Sequence, residues 1–267
     1  MKLYPSNYLR GRTIQARDRE IGTCVDFLFD DLDRTIRYLV VDTRKWLPGR
    51  RVVISPAEVG DGDLPDPDGH LVLDLSREQI RNSPPLKEHA PLSMRIEECL
   101  SAYYGWPVYW AGADPWGDTA TIPMIRAERN GPEHFQAQLK QQLSPEKDSS
   151  WLRSIDEVCN YRILTPDGEL GHIEDFVFET AAWSMPYFIV DTRNWWPGRK
   201  LAVPQSWFDG FDAFERVTQV RHSRHSLESC PEVNPRHPFG TSDVAQLQAH
   251  FAQRSENGHP LSVPNRT

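Results

Sequence analysis

The feature that most constrains this chain is that it carries nearly the same words twice. Displaced by 149 residues, "IGTCVDFLFDDLDRTIRYLVVDTRKWLPGR" lies without a gap over "LGHIEDFVFETAAWSMPYFIVDTRNWWPGR". Between 14–50 and 163–199 there are 16 identities in 37 positions, where unrelated sequences of ordinary composition share roughly two or three. A two-residue shift then brings "SREQIRNSPP" (76–85) over "SRHSLESCPE" (223–232), and "APLSMRIEECLSAYY" over "HPFGTSDVAQLQAHF", with Pro91 on Pro238. The chain is two copies of one module. The repeat sets a first module over 1–105, an aromatic then polar linker over 106–152, a second module over 153–255 and a disordered tail over 256–267.

Within each copy the apolar periodicity is mostly two. "GTCVDFLFD", "TIRYLVVDT", "RRVVIS" and "GHLVLDL" read as strands, with "LGHIEDFVFE", "MPYFIVDT", "RKLAVP" and "RVTQVRH" in the same places in copy two. Ser76 and Ser223 read as N-caps of short helices that stop before Pro84 and Pro231. A further amphipathic helix over 93–103 presents Met94, Ile96, Leu100 and Tyr103 to the module. Short strands spaced by turns predict a mainly β chain, two small antiparallel barrels in tandem with short peripheral helices. No strand–helix–strand alternation suggests a doubly wound nucleotide-binding fold.

These words, in this order and twice over, resemble the PRC-barrel family, named from the cytoplasmic barrel of the photosynthetic reaction centre H subunit. The resemblance rests on "IGTCVDFLFDD…IRYLVVDTRKWLPGRRVVISPAEV", "LVLDLSREQIRNSPP" and "YYGWPVYW", and on "LGHIEDFVFE…PYFIVDTRNWWPGRKLAVPQSWF" and "SRHSLESCPE". It implies a small β-barrel in each half. The family includes a barrel of the ribosome maturation factor that binds a small-subunit ribosomal protein, and tandem-barrel proteins of unassigned role. The H subunit's N-terminal membrane anchor has no counterpart in "MKLYPSNYLRGR".

The bulk properties exclude several functions. The longest apolar runs are far below the roughly 20 residues of a spanning helix, and the first residues carry no apolar signal core. Four widely spaced cysteines (Cys24, Cys99, Cys159, Cys230) with no CxxC suit reduced thiols in a cytoplasm. A formal charge of −8 argues against a nucleic-acid partner. There is no GxSxG elbow and no phosphate-binding glycine loop, so no catalytic residue and no cofactor is assigned. His222-x-x-His225, with His237 beyond, is the best metal spacing. Copy one has Leu75 and Glu78 in that place, and a basic patch with Arg221 and Arg224 is the simpler reading, so no metal is assigned. "DDLD" (30–33) and "DGDLPDPDG" (61–69) read as polar turns.

What remains is the repeated hairpin, which reads first as a turn that the fold needs and second as a recognition surface. Leu47-Pro48-Gly49-Arg50 and Trp196-Pro197-Gly198-Arg199 place Pro and Gly as a type II turn demands, and Trp beside Arg is a common interface pair. Candidate interaction residues are therefore Arg44, Trp46, Arg50, Trp106, Trp110, Arg193, Trp195, Trp196 and Arg199. The aromatic run "YYGWPVYWAGADPWGD" (103–118) reads first as a segment that covers its own module or seals the two modules together, and second as part of that surface. The expected function is a non-enzymatic interaction or assembly module with another protein as partner and a homodimer as a further option. The alternatives are a small-molecule site or active site between the barrels, and a peripheral photosynthetic or electron-transport accessory.

Overall fold

A computed structural model describes residues 2–60, 64–84, 92–111, 152–192 and 198–255. The greater part of the linker, the tail after residue 255 and residues 61–63 lie outside them. The chain is mainly β, with two mixed sheets and a few short helices. Copy one contributes β2 (Thr13–Gln15), β3 (Glu20–Asp30), β4 (Thr35–Asp42), β5 (Arg51–Ile54) and β6 (Leu71–Val72). Copy two contributes β8 (Arg162–Thr165), β9 (Gly168–Glu179), β10 (Tyr187–Asp191), β11 (Lys200–Pro204), β12 (Phe208–Asp212) and β13 (Val217–Val220). Neighbouring strands run in the orders β5-β4-β3-β2-β6 and β11-β10-β9-β8-β13-β12.

The sheets are not purely antiparallel, as the alternation of short strands and turns had suggested. β2 pairs with β6, and β8 with β13, in parallel. Each copy takes an odd number of alternating directions, because β11 and β12 run in the same sense on either side of a 3-10 turn (Gln205–Trp207). The last run therefore meets the first in the same direction. Among the described residues the paired strands do not close into a barrel. In copy one the nearest approach to closure is a single bridge, Val59 to Leu73, beyond the ends of β5 and β6.

The helices follow their sequence signals. Ser76 caps α2 (Arg77–Asn82) as a full capping box with Gln79, and Ser223 caps α5 (Arg224–Glu228). The longer helices are α3 (Met94–Tyr104), ended by Gly105 at φ 74°, and α6 (Thr241–Ser255). Among the described residues, no helix is long and apolar enough to cross a membrane.

The two copies interlock. β1 (Leu3–Pro5) belongs by sequence to copy one, yet it pairs with β9 of copy two, Leu3 opposite Glu179. β7 (Leu152–Ser154), at the start of copy two, pairs with β3, Leu152 opposite Asp30. Leu3 and Leu152, and likewise Asp30 and Glu179, are the repeat's own equivalents, so the exchange obeys a local two-fold. A bridge between the equivalent residues Thr35 and Ser184 lies at that axis. Around it Ile36 N donates to Trp183 O at 2.8 Å and Met185 N to Arg34 O at 2.9 Å. Phe27 packs on Phe178 at 5.2 Å and Phe29 on Phe176 at 5.5 Å, the same contact made twice.

The short helices α1 (Ser6–Leu9) and α4 (Ile155–Val158) follow the exchanged strands and repeat the pattern. Ser6 Oγ and the Asn7 amide donate to Asp175, while Ser154 Oγ and the Asp156 amide donate to Asp26. Burial raises both carboxyls, Asp175 up to about 6. One apolar cluster runs through both copies. A second, made of Leu3, Val177, Tyr187, Ile189, Ala202, Phe239, Val244 and Leu247, needs the first copy's Leu3 to be complete.

Candidate functional site

The repeated hairpin word is spent largely on architecture. Arg50 N returns to Leu47 O at 3.2 Å, and Gly49 and Gly198 have φ of 72° and 83°, as the turn reading requires. Thr43 Oγ1 donates to Arg50 O at 2.9 Å, and Thr192 Oγ1 to Arg199 O at 3.1 Å. The glycine that opens each repeat faces this hairpin. A Cβ on Gly22 would lie 2.0 Å from Asp42 O, and one on Gly171 2.1 Å from Asp191 O.

The arginine that closes the turn serves a helix end. Arg50 donates to the carbonyls of Arg81 and Ser83 at 3.0 Å, satisfying acceptors that the end of α2 leaves open. Arg199 reaches Glu228 O at the end of α5 at 3.4 Å, and the Glu232 carboxylate at 3.4 Å. Trp46 is half-buried, its indole N–H donating to Ile21 O at 2.5 Å, with Arg77 stacked 4.1 Å above the ring. Arg44 is exposed and grips Asp42 with two nitrogens, which holds that carboxyl down at about 2. Arg193, Trp195 and Trp196 lie outside the described residues.

Trp106 is not on the surface. It is 3% exposed, stacks on Tyr104 at 4.3 Å and donates its indole N–H to Glu58 at 2.5 Å. Tyr104 and Tyr109 are buried with it, and Trp110 is half-buried, edge-on to Tyr109 at 4.8 Å. The aromatic run up to Ala111 thus covers its own module, because each buried indole or phenol finds a polar or aromatic partner there.

Beneath that cover is a group of polar side chains that the sequence reading passed over. Glu58, Glu97 and Arg37 are all at most 1% exposed. Tyr109 donates its hydroxyl to Glu97 Oε2 at 3.0 Å, and Arg37 lies 3.9 Å over the Tyr109 ring while pairing with Asp33 at 3.1 Å and Asp30 at 3.4 Å. Burial raises Glu97 to about 7 against the hydrogen bonds from Tyr109 and Tyr38. A signal was present in the sequence. Glu97 and Ser101 fall on the same helical stripe as Met94, Leu100 and Tyr104, the stripe that faces the core.

Copy two carries a different cluster, set by strand register. His172 on β9 faces Asp191 on β10, which faces Lys200 on β11, and Glu174 lies two residues along from His172 on the same face. Donor atoms of His172, Glu174 and Asp191 lie within 4.8 Å of one another. The Lys200 ammonium already contacts Glu174 and sits 4.0 Å from Asp191, so the position a cation would take is filled from within. This row is an ion-pair network. Copy one keeps only Asp42 and Arg51 of it, with Thr23 and Val25 in the other places. Glu174 and Lys200 line a cavity of about 690 Å3 together with Asn7, Val233, Asn234 and Arg236. His222 and His225 form no site together. The first stacks on Trp207 at 3.8 Å, and the second is exposed beside Glu228.

No protein-family model matches the chain, and no curated protein matches it. The class that the fold itself defines is a mainly β tandem repeat whose halves exchange their first strands.

Proposed function

We propose that the chain is a non-enzymatic interaction or assembly protein built from two PRC-type barrels. The observation that carries the interaction reading is a pair of large apolar side chains left in water on two braced turns. Leu32, between β3 and β4, is 58% exposed, and Phe214, between β12 and β13, is 92% exposed. Arg34 donates to Asp209 O at 2.9 Å, and Arg153, paired with Asp31, donates to Phe211 O at 3.1 Å. An aromatic ring held out on a braced turn is the kind of anchor that a protein partner buries. The barrel reading is supported by the near-closure at Val59 and Leu73, and by the parallel meeting of first and last strands in both copies.

The test is capture from an extract of the native cell with the immobilised full chain and with a Leu32→Ser/Phe214→Ser variant. A specific protein held by the first and lost at least tenfold by the second is expected. Equal capture by both, or repeated failure to find a specific protein, overturns the reading. The cavity beside Lys200 favours a second reading, a small-molecule-binding protein. A thermal-shift screen of small organic acids, compared between the wild type and Arg236→Ala, separates it from the first.

A further inference from the structure

The repeat supplies its own control for Glu97. With the two-residue shift that aligns the second halves of the copies, Glu97 on α3 corresponds to Val244 on α6, Leu100 to Leu247, and Tyr104 to Phe251. Val244 and Leu247 are buried in an apolar cluster against Tyr187, the equivalent of Tyr38. The fold therefore accommodates valine at this place, and a carboxyl there answers no architectural need. It also carries a cost, since burying an ionisable group disfavours its charged form.

The groups that face Glu97 come from three sides. Tyr109, on the 3-10 turn Tyr109–Ala111, donates to Oε2. Tyr38 and Arg37 face it from β4, and Asp30 from the end of β3. Among the described residues, neither Glu97 Oε1 nor Ser101 Oγ, one turn further along the same stripe, has a hydrogen-bond partner. Of the two hydroxyls that hydrogen-bond to the carboxyl, that of Tyr38 belongs to β4 and that of Tyr109 to the segment that covers it. Trp106 fastens the same segment to Glu58. A charge appearing on Glu97 gains little from this wall, because Arg37 is already committed to Asp30 and Asp33. Hydration is available to it only when the cover lifts.

We propose that Glu97 is a proton-operated latch: the neutral carboxyl keeps the aromatic segment Tyr104–Ala111 closed on the first module, and its ionisation releases that segment. The inference is independent of which partner, if any, the chain binds. Its direction follows from linkage. The closed form holds the proton up to about 7, whereas a released, solvated Glu97 gives it up near the ordinary 4.5. Opening therefore becomes about tenfold easier per pH unit between those values and levels off above the upper one.

Hydrogen exchange of the Tyr109, Trp110 and Ala111 amides tests this in the full chain, with rates corrected for the intrinsic pH dependence. In the wild type, protection should fall about tenfold per unit from pH 5 to 7 and then level off. Amides of β9 and β10 that exchange through local openings of the second copy should keep theirs. Glu97→Gln, which retains an acceptor for Tyr109, and Glu97→Val, which restores the second copy's residue, should each flatten the profile. If one of them fails to fold, the other still decides. A flat wild-type profile, the same slope in a folded variant, or an equal loss in those locally exchanging β9 and β10 amides would each overturn the proposal.

Discussion

The strand exchange makes Leu3 a core residue of a module to which it does not belong by sequence, and truncating it shows how strongly the halves depend on each other. Leu3 is wholly buried among Val177, Tyr187, Ile189, Ala202, Phe239, Val244 and Leu247, every one of them in copy two. Its backbone is fixed by pairing with β9 and by Phe239 N, which donates to Leu3 O at 2.8 Å. Those bonds remain in Leu3→Ala, so the variant loses side-chain burial and leaves a cavity. Well-packed leucines cost about 3 kcal/mol when cut to alanine, which makes opening about two orders of magnitude easier. The readout is native-state hydrogen exchange. Amides of β9, β10 and α6 should exchange about 100-fold faster wherever they exchange through that opening, while amides of β4 and β5 should change far less. Leu152→Ala, the equivalent change in the half-buried β7, should give a smaller effect, felt in β3 and β4 instead. If Leu3→Ala loosens β4 and β5 while leaving β9 protected, β1 pairs within its own module and the exchange is refuted.

Gly171→Ala should leave little soluble protein or cost more than about 3 kcal/mol by denaturant unfolding, since its Cβ would overlap the Asp191 carbonyl. Gly22→Ala should do the same, with its φ of 147° adding strain. Arg50→Ala leaves the carbonyls of Arg81 and Ser83 without their donor, and should cost about 1–3 kcal/mol with loss of protection confined to α2. Arg199→Ala should do likewise at α5. Because burial raises Glu97 in the folded state, the stability it leaves intact below 4.5 is lost as pH rises through about 7. Glu97→Val should therefore outlast the wild type in urea at pH 8 by about 3 kcal/mol and gain little at pH 4.5; an equal gain at both would sink the linkage.

How much of this was legible beforehand follows from which interactions are local. Strands, caps and turns depend on spacing of two, on Ser76 and Ser223, and on Pro-Gly pairs, all of which act within a few residues. Those that the sequence marked and the described residues include stand close to their places, whereas β2, β8 and β12 carried no such mark. The parallel pairings and the exchanged strands depend instead on partners far along the chain, and no local pattern in "KLYPS" or "WLRS" says which sheet each will join. The repeat did contain the answer in another form. Two copies of one module offer each first strand two equivalent docking edges. The edges taken are those of β3 and β9, the strands whose Phe27, Phe29, Phe176 and Phe178 meet across the axis, a contact that needs both copies together.

The same contrast bears on the candidate recognition residues. A tryptophan or arginine in a turn word looks like a surface side chain because a turn is a surface structure. Here Trp46, Arg50 and Arg199 reach back from the turn to a strand carbonyl or a helix end, and Trp106 reaches a buried carboxylate. The word is repeated because both modules need that clamp, so the repetition itself pointed to architecture. Differences between the copies are the better guide to function. Glu97 against Val244, Arg37 against Pro186, and the His172–Glu174 pair against Thr23 and Val25 are places where one half departs from a solution the other half shows to be sufficient. An activity that resides in only one half must draw on side chains of that kind, and Glu97 is one whose burial works against its charged form.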